Sequence, residues 1–272
     1  LKTYAWAAGI EVLEVPYDAS GRCAWDKVPA DVSGLVVQSP NAFGVIESLR
    51  DRKAALGDAL LIVIAYPIAL GLLEPPGAFG ADIVVGEGQS LGLPMGFGGP
   101  LLGLFATRME FLRQLPGRVT GRTVDVEGKV GFTMAAQTRE QHIRRERATS
   151  NICTNSALCA LAATVYLASV GADGLRQVAE LCFAKAHYLA DGVRKTKGLS
   201  LRFDAPFFNE FIVQTKGSAR AAARRLADAG FLVADPGELE AEGLANALRL
   251  AVTERRSRDE LDRALSALGG TR

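Results

Sequence analysis

The sequence predicts an α/β fold: a mainly parallel sheet flanked by helices, followed by a smaller α+β domain. Three observations predict it. In the first half, short apolar runs alternate with polar or helical stretches. Those runs are nearly continuous in β-branched and leucine residues, as strands covered on both faces should be. In the last quarter, strand and helix patterns alternate at shorter intervals.

Taken in order, Ile10–Tyr17, Gly34–Gln38, Leu60–Ala65, Asp82–Gly86 and Leu101–Thr107 read as strands. Ala42–Ala59 sets Arg50, Asp51, Arg52 and Lys53 beside Leu49, Ala55 and Leu56, which suits an amphipathic crossover helix. Thr138 is a candidate cap for a charged helix over Gln141–Ala148, and Asn155 for a helix over Ser156–Val170 that Gly171 stops. The latter is apolar all round, so it belongs inside the molecule or in a subunit interface. Asp173–Lys195 follows as a third helix. Strands at Glu210–Gln214, Phe231–Ala234 and Ala247–Ala251 then alternate with helices at Ser218–Ala229 and Ser257–Leu268. The expected division is a partial large domain over 1–155, bridging helices over 156–197 and a small domain over 198–272.

The chain has 272 residues, 49% hydrophobic and 22% charged, with a formal net charge of +1. A sizeable core is expected, and a near-neutral balance argues against nucleic acid as the main partner. No apolar run is read as spanning a bilayer, so no membrane association is expected. Cys23, Cys153, Cys159 and Cys182 form no C-x-x-C pair and lie away from His142 and His187. Reduced thiols in a cytoplasmic protein are expected, with no metal site. The chain opens on Leu1 inside what reads as a helix–strand unit, as a fragment or trimmed chain would.

The densest chemical signal is Gly77–Pro100, where a strand runs into a loop holding Gly86, Gly88, Gly92, Gly96, Gly98 and Gly99. Such density implies positive φ angles or close backbone approach, in a subunit interface or around a ligand. No G-x-G-x-x-G precedes a helix and no G-K-[ST] occurs, so neither a dinucleotide fingerprint nor a P-loop is present. The arginines around Arg139–Arg147 alternate with Glu140 and Glu146, the pattern of a solvated, salt-bridged face.

Four stretches, in order, resemble the glycine cleavage system P-proteins, in the amino-terminal-half type. They are Val36–Glu47 (VVQSPNAFGVIE), Ala81–Pro100, Gln114–Phe132 and Arg139–Ala162 (REQHIRRERATSNICTNSALCALA). In the third, Pro116, Gly117, Arg118, Thr123, Val124, Asp125, Gly128 and Phe132 carry the match. The resemblance implies a fold type I pyridoxal-phosphate-dependent transferase-like large domain. It also implies a part in decarboxylating glycine and passing the aminomethyl group to the lipoyl arm of H-protein. In the family's two-subunit form, one subunit bears the cofactor lysine before a glycine-rich loop. Matched on Pro94, Gly96, Gly98, Gly99 and Pro100, that lysine position falls on Gln89, and the next on Ser90. The aspartate that would face the pyridine nitrogen falls on Tyr66. The resemblance thus implies a non-catalytic subunit that binds no cofactor. Its partners would be the catalytic P-protein subunit 2, which holds pyridoxal phosphate, and lipoylated H-protein. Asn41, Gly98, Gly99, Arg145 and Asn151 are the candidates for the interface or the partner's site. A pseudoenzyme of the same fold, acting as a binding or regulatory module, is the alternative. A self-sufficient pyridoxal phosphate enzyme is disfavoured, because no lysine follows a buried strand; Lys53 and Lys185 are expected on solvated helix faces.

Overall fold

A computed structural model describes residues 1–148 and 156–270. The chain enters through α1 (Lys2–Ala7) and reaches β1 (Gly34–Ser39), α2 (Arg52–Leu56), β2 (Leu60–Ala65), β3 (Ile83–Glu87) and β4 (Gly103–Thr107). These strands form one sheet in the order β1-β2-β3-β4. The first two pairings are parallel, with Gly34 opposite Leu60 and Ile62 opposite Ile83. β4 runs antiparallel to β3, with Ile83 opposite Thr107, so the expectation of a parallel sheet fails at this strand. The reason lies in the connection. A loop of glycines joins β3 to β4 with no crossover helix to return the chain to the same end.

A two-stranded hairpin follows, β5 (Val119–Val124) with β6 (Val130–Ala135), which sequence patterning had not resolved. Beyond it come α3 (Gln141–Arg144), a further single turn at Arg145–Arg147, and the long helix α4 (Ala157–Lys195). The small domain contains β7 (Leu199–Leu201), β8 (Glu210–Thr215), α5 (Ala219–Asp228), α6 (Pro236–Ala241), β9 (Ala247–Ala251) and α7 (Arg258–Gly269). Its sheet is antiparallel, ordered β7-β8-β9. Ser218 caps α5, and Ser257 with Glu260 forms a reciprocal capping box on α7.

Several expected elements are corrected. Ile10–Tyr17 is no strand: Ile10 and Leu13 are exposed, and only Tyr17 bridges, to Cys23. Phe231–Ala234 is a loop with Leu232 fully exposed. The helix expected over Ala42–Ala59 shrinks to α2, because residues 41–46 are drawn to the small domain. Val45 bridges Phe207, the Ile46 amide donates to the Pro206 carbonyl, and Gly44, at φ +79°, lies against β8. A Cβ there would sit 1.9 Å from the Glu210 carbonyl oxygen, so only glycine fits. The helix expected over Gln141–Ala148 breaks at Arg145, whose φ is +53°, and Thr138 makes no cap. The Asn155 cap lies outside the described residues.

The helices expected on either side of Gly171 are two halves of α4. Gly171, at φ +63° and ψ −175°, is non-helical and kinks it. The two halves share one core, which Cys159 and Ala163 enter from the first half, but they differ in their outer faces. After the kink, Ala179 and Cys182 enter the core beneath the four-stranded sheet, while Ala186, Leu189, Ala190 and Val193 enter the core of the small domain. Before it, Leu158, Leu161 and Val165 stand more than half exposed. An 18-residue stretch of α4 is long and apolar enough to cross a membrane, at mean hydropathy 1.6. That corrects the expectation that no run reaches this length; splitting the helix at Gly171 had hidden it.

Candidate functional site

The glycine-rich loop is closed at its root by β3 and β4. Glu87, the last residue of β3, accepts at Oε1 from the backbone amides of Gln89 (3.0 Å) and Leu102 (2.9 Å). The Gly88 amide donates to the Leu102 carbonyl at 2.7 Å. Gln89 then turns back on its own loop. Its Nε2 donates to the Leu93 carbonyl at 2.7 Å, and its carbonyl accepts from the Leu93 amide. Gly92, at φ +86°, brings the loop against the first half of α4, where a Cβ would lie 2.7 Å from that of Tyr166. The loop tip points away. Met95 and Phe97 are exposed, and Gly98 and Gly99 sit there at positive φ, Gly98 beside open space.

Beneath this loop the chain is filled with its own side chains. Tyr66 follows β2 and packs against Phe208, ring centroids 6.1 Å apart, beside Leu91, Cys159, Ala163 and Cys182. Burial is the main reason its hydroxyl pKa is pushed up to about 12, with nearby Cys182 and Glu254 adding to the effect. Ser90 pulls the other way. Yet the Ser90 Oγ is buried without a hydrogen bond of ordinary geometry. Cys182 accepts from the Glu254 amide at 3.2 Å and donates to Glu254 Oε2 at 3.5 Å; burial first raises its thiol to about 12. Such a thiol is protonated at neutral pH and is a poor nucleophile.

The lysines expected on solvated faces include two that are tied down. Lys53 pairs with buried Asp82 at 3.1 Å and donates to the Ala59 carbonyl. Lys185 donates to the Glu254 carbonyl. The pull comes from buried Asp82 and from the Glu254 carbonyl, both distant in sequence, which a helical-wheel reading does not see.

The other candidates scatter. Asn41 is engaged inside the chain. Its Nδ2 donates to the Gly21 carbonyl (2.7 Å) and to Glu47 Oε1 (2.8 Å), and its Oδ1 accepts from the Phe43 and Val45 amides. Arg145 is exposed on the turn after α3. Asn151 lies outside the described residues. Sequence reading missed Glu47 altogether. It is 7% exposed, accepts from the Cys23 amide as well as from Asn41, and burial raises its pKa. It fastens residues 18–24 to the end of β1.

Comparison with known proteins decides the family. The glycine cleavage system P-protein family model matches residues 1–268. The chain belongs to the glycine cleavage system P-protein family. Among curated P-proteins, the "probable glycine dehydrogenase (decarboxylating) subunit 1" of Moorella thermoacetica is 49% identical over 277 residues, covering 99% of this chain and 62% of the relative. That of Thermotoga maritima is 46% identical over 268 residues, covering 98% and 61%. A solved glycine decarboxylase (P-protein) in inhibitor-bound form superposes with a TM-score of 0.90 at 42% identity, covering 99% of this chain and 61% of that one. The chain therefore spans about three fifths of the length of the P-proteins it matches. A NifS-like protein matches at TM-score 0.64 and 18% identity, which shows the shared fold, that of the fold type I enzymes.

Proposed function

We propose that this chain is a non-catalytic subunit of glycine decarboxylase. It would support decarboxylation of glycine and transfer of the aminomethyl group to lipoylated H-protein, beside a catalytic subunit that holds pyridoxal phosphate. Relatives named as subunit 1 support the assignment to a subunit. The observation that carries the non-catalytic role is the fate of Gln89. At the position matching the cofactor lysine stands an amide, which forms no imine, and its nitrogen is committed to the Leu93 carbonyl.

The surrounding residues do not fit the cofactor either. Tyr66 offers no carboxylate to a pyridine nitrogen, and its ring occupies space against Phe208 and Leu91. The buried, reduced thiols Cys159 and Cys182 suit the cytoplasm.

The test is glycine–carbon dioxide exchange with H-protein present. The natural protein containing this chain is expected to be silent alone and active with the catalytic subunit. Borohydride reduction followed by mass measurement should place a phosphopyridoxyl adduct on the catalytic subunit only. An adduct on a lysine of this chain refutes the non-catalytic role. Exchange by the catalytic subunit that is indifferent to this chain favours a regulatory pseudoenzyme.

A further inference from the structure

A cavity of about 230 Å³ opens beside the first two strands. It is lined by the chain that leaves β1, through Ser39 and residues 46–50, and by the chain that leaves β2, at Leu70, Leu73 and Glu74. That places it outside the carboxyl ends of two parallel strands, where open α/β sheets bind their ligands. None of its residues belongs to the glycine loop.

This cavity gathers unused donors. The amides of Ser48, Leu49 and Arg50 find no acceptor among the described residues. Leu49 is buried, and a buried backbone donor is nearly always paired. Ser39, also buried, accepts at Oγ from the Glu47 amide at 3.2 Å but donates to no described acceptor. Arg50 is exposed, with its guanidinium 5.8 Å from the centre of the Phe79 ring, and no described carboxylate pairs with it. Amides and a guanidinium gathered at one place suit a carboxylate.

The opposite charge lines the same cavity. Glu74 is exposed and pairs with no described cation. Glu47 is the other acid there, but its carboxylate is occupied by the Cys23 amide and Asn41. An unspent cation and an unspent anion in one cavity, not paired with each other, match the two poles of a zwitterion. The rest of the lining is mainly apolar, including Ile46, Leu70, Leu73 and Phe79. A few polar groups set in an apolar wall orient a small molecule that carries an apolar part of its own.

We propose that this cavity binds an aliphatic α-amino acid, with its carboxylate on Arg50 and the neighbouring amides, its ammonium on Glu74 and its side chain against Leu70, Leu73 and Phe79. The site is separate from the glycine loop and does not rest on the subunit reading above. The test is calorimetric titration of the natural full-length protein with L-leucine, without the catalytic subunit. Glycine, isocaproate and isoamylamine are the comparisons, since they lack leucine's side chain, ammonium and carboxylate in turn. Leucine should bind about tenfold more tightly than any of the three. Arg50→Gln should weaken leucine and isocaproate alike by about tenfold, whereas Glu74→Gln should weaken leucine as much and leave isocaproate unchanged.

Both side chains are exposed, so neither change should move the melting temperature of the unliganded protein. Should Arg50→Gln fail to fold, the contrast between leucine and isocaproate in Glu74→Gln decides alone. Neither heat of binding nor a rise in melting temperature with leucine, isoleucine or valine overturns the proposal. So does leucine binding that both variants keep, which puts the ligand elsewhere. Glycine that binds as tightly as leucine overturns the aliphatic class. The catalytic subunit takes no part, so each of these outcomes leaves the subunit reading as it stands.

Discussion

Tyr66 shows how one residue can be a packing element where family resemblance sets a charge. Its ring belongs to a core with Phe208, Leu91 and Cys182, and its hydroxyl is expendable. Tyr66→Phe is therefore expected to change unfolding free energy by less than about 1 kcal/mol, and Tyr66→Asp to cost about 3 kcal/mol or more, since it trades a packed ring for a buried carboxylate. Urea denaturation checks both. Glu47 carries a pH dependence. Burial raises its folded pKa above the ordinary carboxylate value. The native state then holds its proton more tightly than the unfolded chain, so this contribution falls as pH rises from the ordinary value through the folded one, and is flat above. Against Glu47→Gln, which has no such titration, wild type should lose unfolding free energy as pH rises from the ordinary carboxylate value through the raised folded one. A constant difference across that range would show that Glu47 keeps its unfolded pKa.

At the scale of elements, Gly171 is the position in α4 that backbone conformation reserves for glycine. Its φ/ψ combination is open almost only to glycine, and nothing crowds the place of a Cβ. Gly171→Ala should cost about 1–3 kcal/mol through backbone strain alone, or straighten the helix and lift its first half off Gly92. Calorimetry and the near-ultraviolet signal of Tyr166 separate these outcomes. The same element shows what was legible. Gly171 marks the break between the two helical runs in sequence, and β1, β2, β8, β9, α5 and α7 lie close to where patterning put them. Local periodicity and caps suffice for elements that bury one regular face. They fail where the deciding partner is remote. The small domain draws residues 41–46 out of a helix, and the antiparallel sense of β4 is set by a loop. The identity of Gln89 is plain in the sequence. Its bond to Leu93 is not, nor is the role of Glu47, whose partners are backbone amides and Asn41.

The whole molecule exposes far more surface than its length warrants, and the bare faces are distinct. They include the first half of α4, the loop tip at Met95 and Phe97, and the hairpin. Mass action then ties stability to association. The melting temperature of the natural protein should rise with added catalytic subunit, by several degrees for each tenfold of partner above Kd at most, and should scale with the logarithm of its concentration. Differential scanning at a series of partner concentrations measures this. A melting temperature indifferent to partner would mean that these faces are covered within the natural chain.

The kink in α4 also fixes where the molecule can yield. From Ala179 to Val193 one unbroken rod is shared by two cores, so swinging one domain about the other would shear packed side chains rather than bend a joint. Compliance is left to the segment on the far side of Gly171. Seen mechanically, the body is a stiff mount and the first half of α4, with the glycine loop leaning on it at Tyr166, is its spring. Slow, large-amplitude fluctuation should therefore concentrate at the surface where the loop and that half-helix meet, while the two sheets move as one piece.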